Sequence, residues 1–311
     1  MDWFSIFVNP SYQIRAGWRF LGYCALLVGL FAATALAVGM VVIWVYPGVF
    51  TAPKGDPAFL TVNAIVLFLP AVGALFFMAR FADQTPVAAF GAAIHNHWLK
   101  DFAIGIAVAA GMLGVTLAGS FLFGDVHITW TGSVAAIPAI ALTLAALALS
   151  ALSEELVFRG YPLQILMKGL GPWGSMILIS CLFGLIHGQN PGATVLSVLG
   201  TILAGMALAV AYLKTRSVWF PYGIHLGWNV GLSSVLGYPM SGIQTASLLT
   251  TQVSGSPVLL GGEYGPEAGI LGMVIFVVVA AVIYRMRMLR VSPQIRAAVV
   301  AHAETLYVGG L

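Results

Sequence analysis

The chain has 311 residues, of which 60% are hydrophobic and only 7% charged, and its mean hydropathy is +0.99. Soluble domains carry roughly 25% charged residues, so this composition excludes an ordinary soluble globule and describes a polytopic membrane protein. The formal net charge of +3 comes from basic residues scattered between apolar spans. No face is rich enough in them to track nucleic-acid phosphates.

About 20 apolar residues cross a bilayer as a helix, and on that measure the chain divides into eight spans. The first, 20–46, follows Arg15 and Arg19. It is longer than the roughly 7–15 apolar residues of a signal peptide and is expected to stay as a first helix. Spans 58–78 and 102–123 come next. The fourth runs from 134 to beyond Glu155, its end blurred by Gly160 and Pro162, which can kink a helix. Spans 173–187, 194–213, 218–236 and 268–284 complete the set. Cys24 and Cys181 both fall in apolar segments, where small core residues are expected and a disulfide is not. The polar, glycine-rich stretch 237–266 is the longest connection, a lid or a surface loop. With no fixed repeat and no soluble segment, the chain 1–311 reads as a single integral membrane domain. The fold class is an all-α, polytopic transmembrane helical bundle of about eight spans.

Basic residues orient that bundle. With the N-terminus inside, the inner connections hold Arg15, Arg19, Arg80, Lys100, Arg159, Lys168, Lys214, Arg216, Arg285, Arg287, Arg290 and Arg296, and the outer side holds only Lys54. The positive-inside rule then places both termini in the cytoplasm, the 237–266 loop outside, and the protein in the plasma (inner) membrane.

Acidic residues number only 10, yet two are adjacent, Glu154 and Glu155, at the end of the uncharged stretch 135–152. A carboxylate within a bilayer costs at least about 2.5 kcal/mol, and such groups usually face a cavity and serve a function. Arg159 follows Glu155 at i+4. Further along lie Phe183 and His187, then His225 and Asn229, each pair four residues apart and so on one helix face. The connection between spans four and five centres near 169–172, with Glu154 and His187 each about 16 residues away. An antiparallel hairpin brings those two to one level, roughly 20 Å from the turn at 1.5 Å per residue. His225 and Asn229 reach roughly 14–20 Å from the same side. A carboxylate at that depth can take a proton from water, one imidazole can orient the water, and a second imidazole with a carboxamide can stabilise an oxyanion. The same His and Glu residues could instead hold a zinc ion.

Glu-Glu-x-x-x-Arg, Phe-x-x-x-His and His-x-x-x-Asn, in that order on successive apolar segments, resemble the signature of the CPBP intramembrane proteases. That family comprises type II CAAX prenyl proteases (Ras-converting endopeptidases) and the bacteriocin-immunity Abi proteins. The signature core spans 153–229. The resemblance implies that Glu154 activates the attacking water with help from His187, that His225 and Asn229 stabilise the oxyanion, and that Glu155 and Arg159 form a supporting ion pair beside Phe183. It implies a membrane-associated peptide or protein substrate, CAAX-like or bacteriocin-related. The family is often labelled metal-dependent, but its best-understood mechanism uses glutamate without metal and this chain contains no His-Glu-x-x-His. Metal-free catalysis is therefore the expectation; if a divalent metal such as zinc binds, its ligands are Glu154, His187 and His225. Two rival classes are a non-catalytic immunity or scaffold protein on the same fold and a proton-coupled transporter. The transporter reading expects two related halves with broken helices, which the sequence does not display. His95 and His97 read as surface residues, Asp125, His127 and His302 carry no assigned role, and Trp173 and Trp219 read as interfacial anchors.

Overall fold

Apolar length sets the framework of the computed structural model, which describes residues 6–9 and 13–309. Those residues form helices α1 (Ala16–Val45), α2 (Pro57–Phe77), α3 (Trp98–Phe123), α4 (Ile137–Glu155), α5 (Tyr161–His187), α6 (Val195–Thr215), α7 (Trp219–Asn229), the single turn α8 (Pro257–Leu260), α9 (Ile270–Arg285) and α10 (Pro293–Ala301). Local chemistry starts several of them. Asp56 accepts from the amides of Ala58 and Phe59 ahead of Pro57 at the head of α2, and Thr194 and Ser197 form a reciprocal capping box on α6. The helices pack in neighbouring pairs, α3 on α7, α2 on α4, α5 on α6 and α6 on α9.

Five helical stretches are long and apolar enough to cross a membrane: Ala16–Val45, Pro57–Ala82, Trp98–Phe123, Val134–His187 and Val195–Thr215. Ile270–Arg285 is apolar but shorter, and α7 has 11 residues before a π-helical turn extends it to Val235. The expected fourth and fifth spans merge into the 54-residue stretch. That stretch is not straight. As one rod it would hold Glu154 and His187 about 50 Å apart at 1.5 Å per residue, whereas their side chains lie 3.8 Å apart. The chain reverses at Gly171, whose φ of +66° precedes Pro172 and suits the left-handed region open to glycine.

The all-α expectation needs one correction. Gly124–Trp130 (β1) pairs antiparallel with Leu249–Gly255 (β2), Asp125 opposite Ser254 and His127 opposite Gln252. Both segments are rich in Val, Ile and Thr, which favour strands. No short turn joins partners so far apart in sequence, so the pairing leaves no local hairpin signal. The 237–266 connection is accordingly built structure, and Asp125 and His127 form an exposed pair 3.3 Å apart on its partner strand.

The two ends of the bundle differ in chemistry. At one end Arg19 bonds Asp83 and the Thr305 carbonyl, Lys168 donates to the Ala303 carbonyl, and Arg216 reaches Gln164 and the Tyr307 and Gly309 carbonyls. At the other, the sheet, the turn after α5 and the 237–269 segment pack together. The Gly242 amide donates to the Tyr264 carbonyl there, and Gly55 lies against the Gln244 backbone.

Close backbone approach places α7. A Cβ at Gly223 would stand 2.3 Å from the Phe102 carbonyl oxygen, and one at Gly105 would stand 2.5 Å from that of Phe220. Gly223→Ala is expected to push α7 from α3 and destabilise the fold by about 1–3 kcal/mol. Gly111→Ala, on the open face of α3 with nothing within 4 Å, should leave the melting temperature unchanged or raise it. Thermal melts of both variants in detergent are the check.

Candidate active site

Adjacent residues on an α-helix point about 100° apart, so the two glutamates meet different surroundings. Glu155 faces the protein interior and is fully buried, whereas the Glu154 side chain is 24% exposed and lines a cavity of about 430 Å³. Directly after them the helix widens into a π-helical turn, Leu156–Gly160, a feature frequent at functional sites. Arg159 leaves that turn inward with no exposed surface. Its guanidinium donates to Glu155 Oε1 at 3.1 Å and to the Gly205 carbonyl at 3.3 Å, and it stacks 4.5 Å from the Phe183 ring. The expectation of an inner-loop Arg159 is therefore overturned. A carboxylate one turn away, a carbonyl of α6 and an aromatic face together compensate the charge in the core.

Glu155 does more than pair with Arg159. Its Oε1 also accepts from His225 Nδ1 at 2.8 Å, which ties α4 to α7. An ionised carboxylate can only accept, so Nδ1 carries the proton and Nε2 is left to face the cavity. His187 is oriented in the same way: Nδ1 donates to the Phe183 carbonyl at 2.8 Å, leaving its Nε2 free. Both Nε2 atoms then converge on one oxygen, Glu154 Oε2, each at 3.8 Å. That oxygen accepts no protein hydrogen bond. The spacing is too long for direct bonds and matches a carboxylate and two imidazoles sharing one small bridging molecule. Phe183 organises the group, its ring 4.4 Å from that of His187, 5.1 Å from Phe158 and 6.2 Å from His225. Asn229, one turn beyond His225, lines the same cavity.

Glu154, His187, His225 and Asn229, drawn from three helices, thus border one cavity, with Glu155, Arg159 and Phe183 behind them. A family model described as type II CAAX prenyl endopeptidase, Rce1-like, matches residues 135–231. Residues 135–231 are thus similar to the core of the Rce1-like family. The match begins just before α4 and ends past Asn229, so it encloses these seven residues. No curated protein matches the chain.

Metal chemistry has a natural donor set in this site. Glu154, His187 and His225 are suitable zinc ligands, and each imidazole has its second nitrogen fixed by an acceptor, the usual outer-shell arrangement. Among the described residues, however, no three His, Cys, Asp or Glu side chains are grouped closely enough to form a metal cluster. Bonds of about 2.0–2.2 Å would require these side chains to draw inward.

Tertiary contacts add residues that spacing does not mark. Glu267 is buried and accepts from Trp228 Nε1 at 2.8 Å and from the amide and hydroxyl of Ser241, both at 2.7 Å. It binds the 237–269 segment to α7, and with Ser241 and Asn190 it lines the cavity. Its only sequence signal is scarcity, as one of 10 acidic residues placed in a glycine-rich stretch. His95, expected at the surface beside His97, is 4% exposed. It contacts Ser217 Oγ at 3.0 Å and Asp101 at 3.7 Å, and burial first, with His97 adding to it, holds its imidazole below the ordinary histidine range. It lies at the basic end beside the α6–α7 turn, away from the cavity.

Removing one member of a buried ion pair strands its partner and typically costs 3–5 kcal/mol, while an apolar pair of similar volume is often tolerated. Glu155→Gln is therefore expected to destabilise the protein by roughly that amount, and Glu155→Gln combined with Arg159→Met to recover much of it. Thermal melts of the four corners of this cycle test the assignment, and additive losses would show that the two side chains are not coupled.

Proposed function

We propose that this chain is an intramembrane endopeptidase that hydrolyses a peptide bond in a membrane-associated substrate, CAAX-like or bacteriocin-related. The observation that carries this reading is the convergence of two oriented imidazole Nε2 atoms on a single carboxylate oxygen of Glu154. In this scheme a water bound between them donates one hydrogen to His187 Nε2 and the other to Glu154. Glu154 removes the proton as the water oxygen attacks the scissile carbonyl carbon, forming the new C–O bond. The negative charge that develops on the carbonyl oxygen is met by the Asn229 amide and by His225. Because Nδ1 of His225 is donated to Glu155, its donor role requires the imidazolium form, whose charge Glu154 and Glu155 flank. The C–N bond then breaks, and the proton held by Glu154 passes to the leaving amine. Every bond made or broken is accounted for without a covalent enzyme intermediate.

The scheme is metal-free by preference, since the three donors stand at spacings suited to a hydrogen-bonded water and His225 is needed as a donor. A divalent ion held by Glu154, His187 and His225 would supply Lewis-acid activation of the same water. The proposal extends to placement: eight passes, with α7 and its π-helical turn and α9 completing the five long helical stretches, in the plasma membrane with both termini cytoplasmic. The whole chain then acts as one membrane domain around the 153–229 core.

Turnover of a quenched peptide library by purified protein tests the chemistry. Glu154→Gln keeps the shape and is expected to lower turnover by roughly 10²–10⁴-fold, as loss of a general base does, with an unchanged melting temperature. Asn229→Ala should raise the barrier by on the order of 3 kcal/mol if its amide serves the oxyanion. Near-normal turnover by both variants sinks the protease reading. The metal preference has its own measurement: one zinc per active chain by elemental analysis, with activity lost to chelator and restored by zinc, reverses it.

A further inference from the structure

Away from the catalytic cavity, a second recess lies between α1 and α5, and its shape follows from the reversal in α5. The arms on either side of Gly171 both reach the start of α1, which packs against α5. Leu166 and Leu170 from the first arm, Leu178 from the second, and Trp18 and Leu21 from α1 enclose about 470 Å³, within the roughly 300–1,000 Å³ of small-ligand sites. Glycine keeps the space open. Gly17 and Gly169 both line it; a Cβ at Gly17 would meet nothing within 4 Å, and one at Gly169 only the Ala16 methyl at 3.4 Å. The rim is apolar and uncovered, with Trp18, Leu21 and Leu170 all exposed. Charge at the recess has one sign. Arg15, exposed at the head of α1, is the single ionisable residue of the lining among the described residues, and Lys168 precedes Gly169. Lys168 feels Arg19 and, from the tail, Glu304; neither acidic nor further basic groups border the recess itself. Trp18 and Trp173, the latter 6.3 Å from Tyr284, set the level, since aromatic belts mark the headgroup region.

We infer that this recess binds an anionic phospholipid of the surrounding bilayer, its headgroup at Arg15 and one acyl chain between α1 and α5. An exposed apolar rim on a membrane helix meets lipid tails, and a flexible unbranched chain fills a space walled by leucine and tryptophan. The guanidinium supplies the selection, because its planar fork matches the geometry of a phosphate. Basic pockets between membrane helices choose anionic headgroups by the same chemistry. A zwitterionic lipid offers identical chains, but its own cation opposes Arg15. A lipid seated there would splint the start of α1 to both arms of α5. Because it binds the folded chain, it would also stabilise it. This inference stands apart from the reaction at Glu154.

Native mass spectrometry of the full, delipidated chain in detergent tests this, with phosphatidylglycerol and phosphatidylcholine of identical acyl chains added at equal concentration. The wild-type chain is expected to retain phosphatidylglycerol about fivefold more than phosphatidylcholine, the effect of one basic residue at an anionic surface. Its melting temperature should rise with phosphatidylglycerol. Arg15→Gln should abolish the preference and leave phosphatidylcholine adducts unchanged, whereas Arg15→Lys should keep much of it. Gly17→Leu fills the recess with Arg15 in place, so adducts of both lipids should fall. Arg15 makes no side-chain cap on α1 and Gly17 has open space beside it, so without lipid these variants should melt as wild type does. Equal retention of the two lipids by wild type overturns the inference whatever the variants do. Undiminished phosphatidylglycerol binding by either Arg15→Gln or Gly17→Leu overturns it too. Inorganic phosphate that raises the melting temperature as far as phosphatidylglycerol does would reveal a free-anion site without the chain, and the inference would fall.

Discussion

The arrangement of the core depends on a charge placed where charge is most costly. Arg159 and Glu155 are both fully buried within the bundle. Attraction between the two does not by itself repay their desolvation. The remaining compensation comes from the Gly205 carbonyl on α6, the Phe183 ring on α5 and His225 on α7. Each group that satisfies the pair also fixes a helix in place. The ion pair acts as the joint at which α4, α5, α6 and α7 are registered, and its geometry is transmitted outward to the cavity through the His225 ring.

Two neighbouring carboxylates of the same chemistry therefore meet different surroundings. Glu155 accepts from Arg159 and His225 on Oε1 inside the core, whereas Glu154 lines the cavity and turns Oε2 towards two imidazoles. Such a separation of a buried, paired carboxylate from a cavity-facing one is the general means by which surroundings set acid–base roles apart. The π-helical turn after Glu155 contributes as well, because the widened backbone lets Arg159 point into the core from the end of a long apolar helix.

The segment that closes the non-basic end illustrates how distant parts of the chain complete a site. Glu267 bonds Trp228 on α7 and Ser241 in the loop, so this wall of the cavity is held by the same helix that presents His225 and Asn229. Strand β2, in the same segment, is anchored in turn by β1. That wall of the cavity is thereby braced on two sides.

Membrane character, the order of the long helices and four polar residues that border the cavity, Glu154, His187, His225 and Asn229, were legible in the sequence. Apolar length and charge scarcity are local properties, and polar residues within such segments stand out against their neighbours. Helical rise alone brought Glu154 and His187 to one level, and the reversal at Gly171 realises that hairpin. The sequence could not determine what a side chain meets across the bundle. Arg159 read as an inner-loop cation and His95 as a surface residue, yet both are buried, because compensation by Gly205, Phe183 or Ser217 arises only when distant helices pack. The β1–β2 pairing and the Glu267 clasp were hidden for the same reason. Strand partners more than a hundred residues apart, and hydrogen bonds between a loop and a helix, leave no periodic trace along the chain. Local chemistry thus determined which residues are unusual, and tertiary packing decided which of them orient, which compensate and which remain free to react.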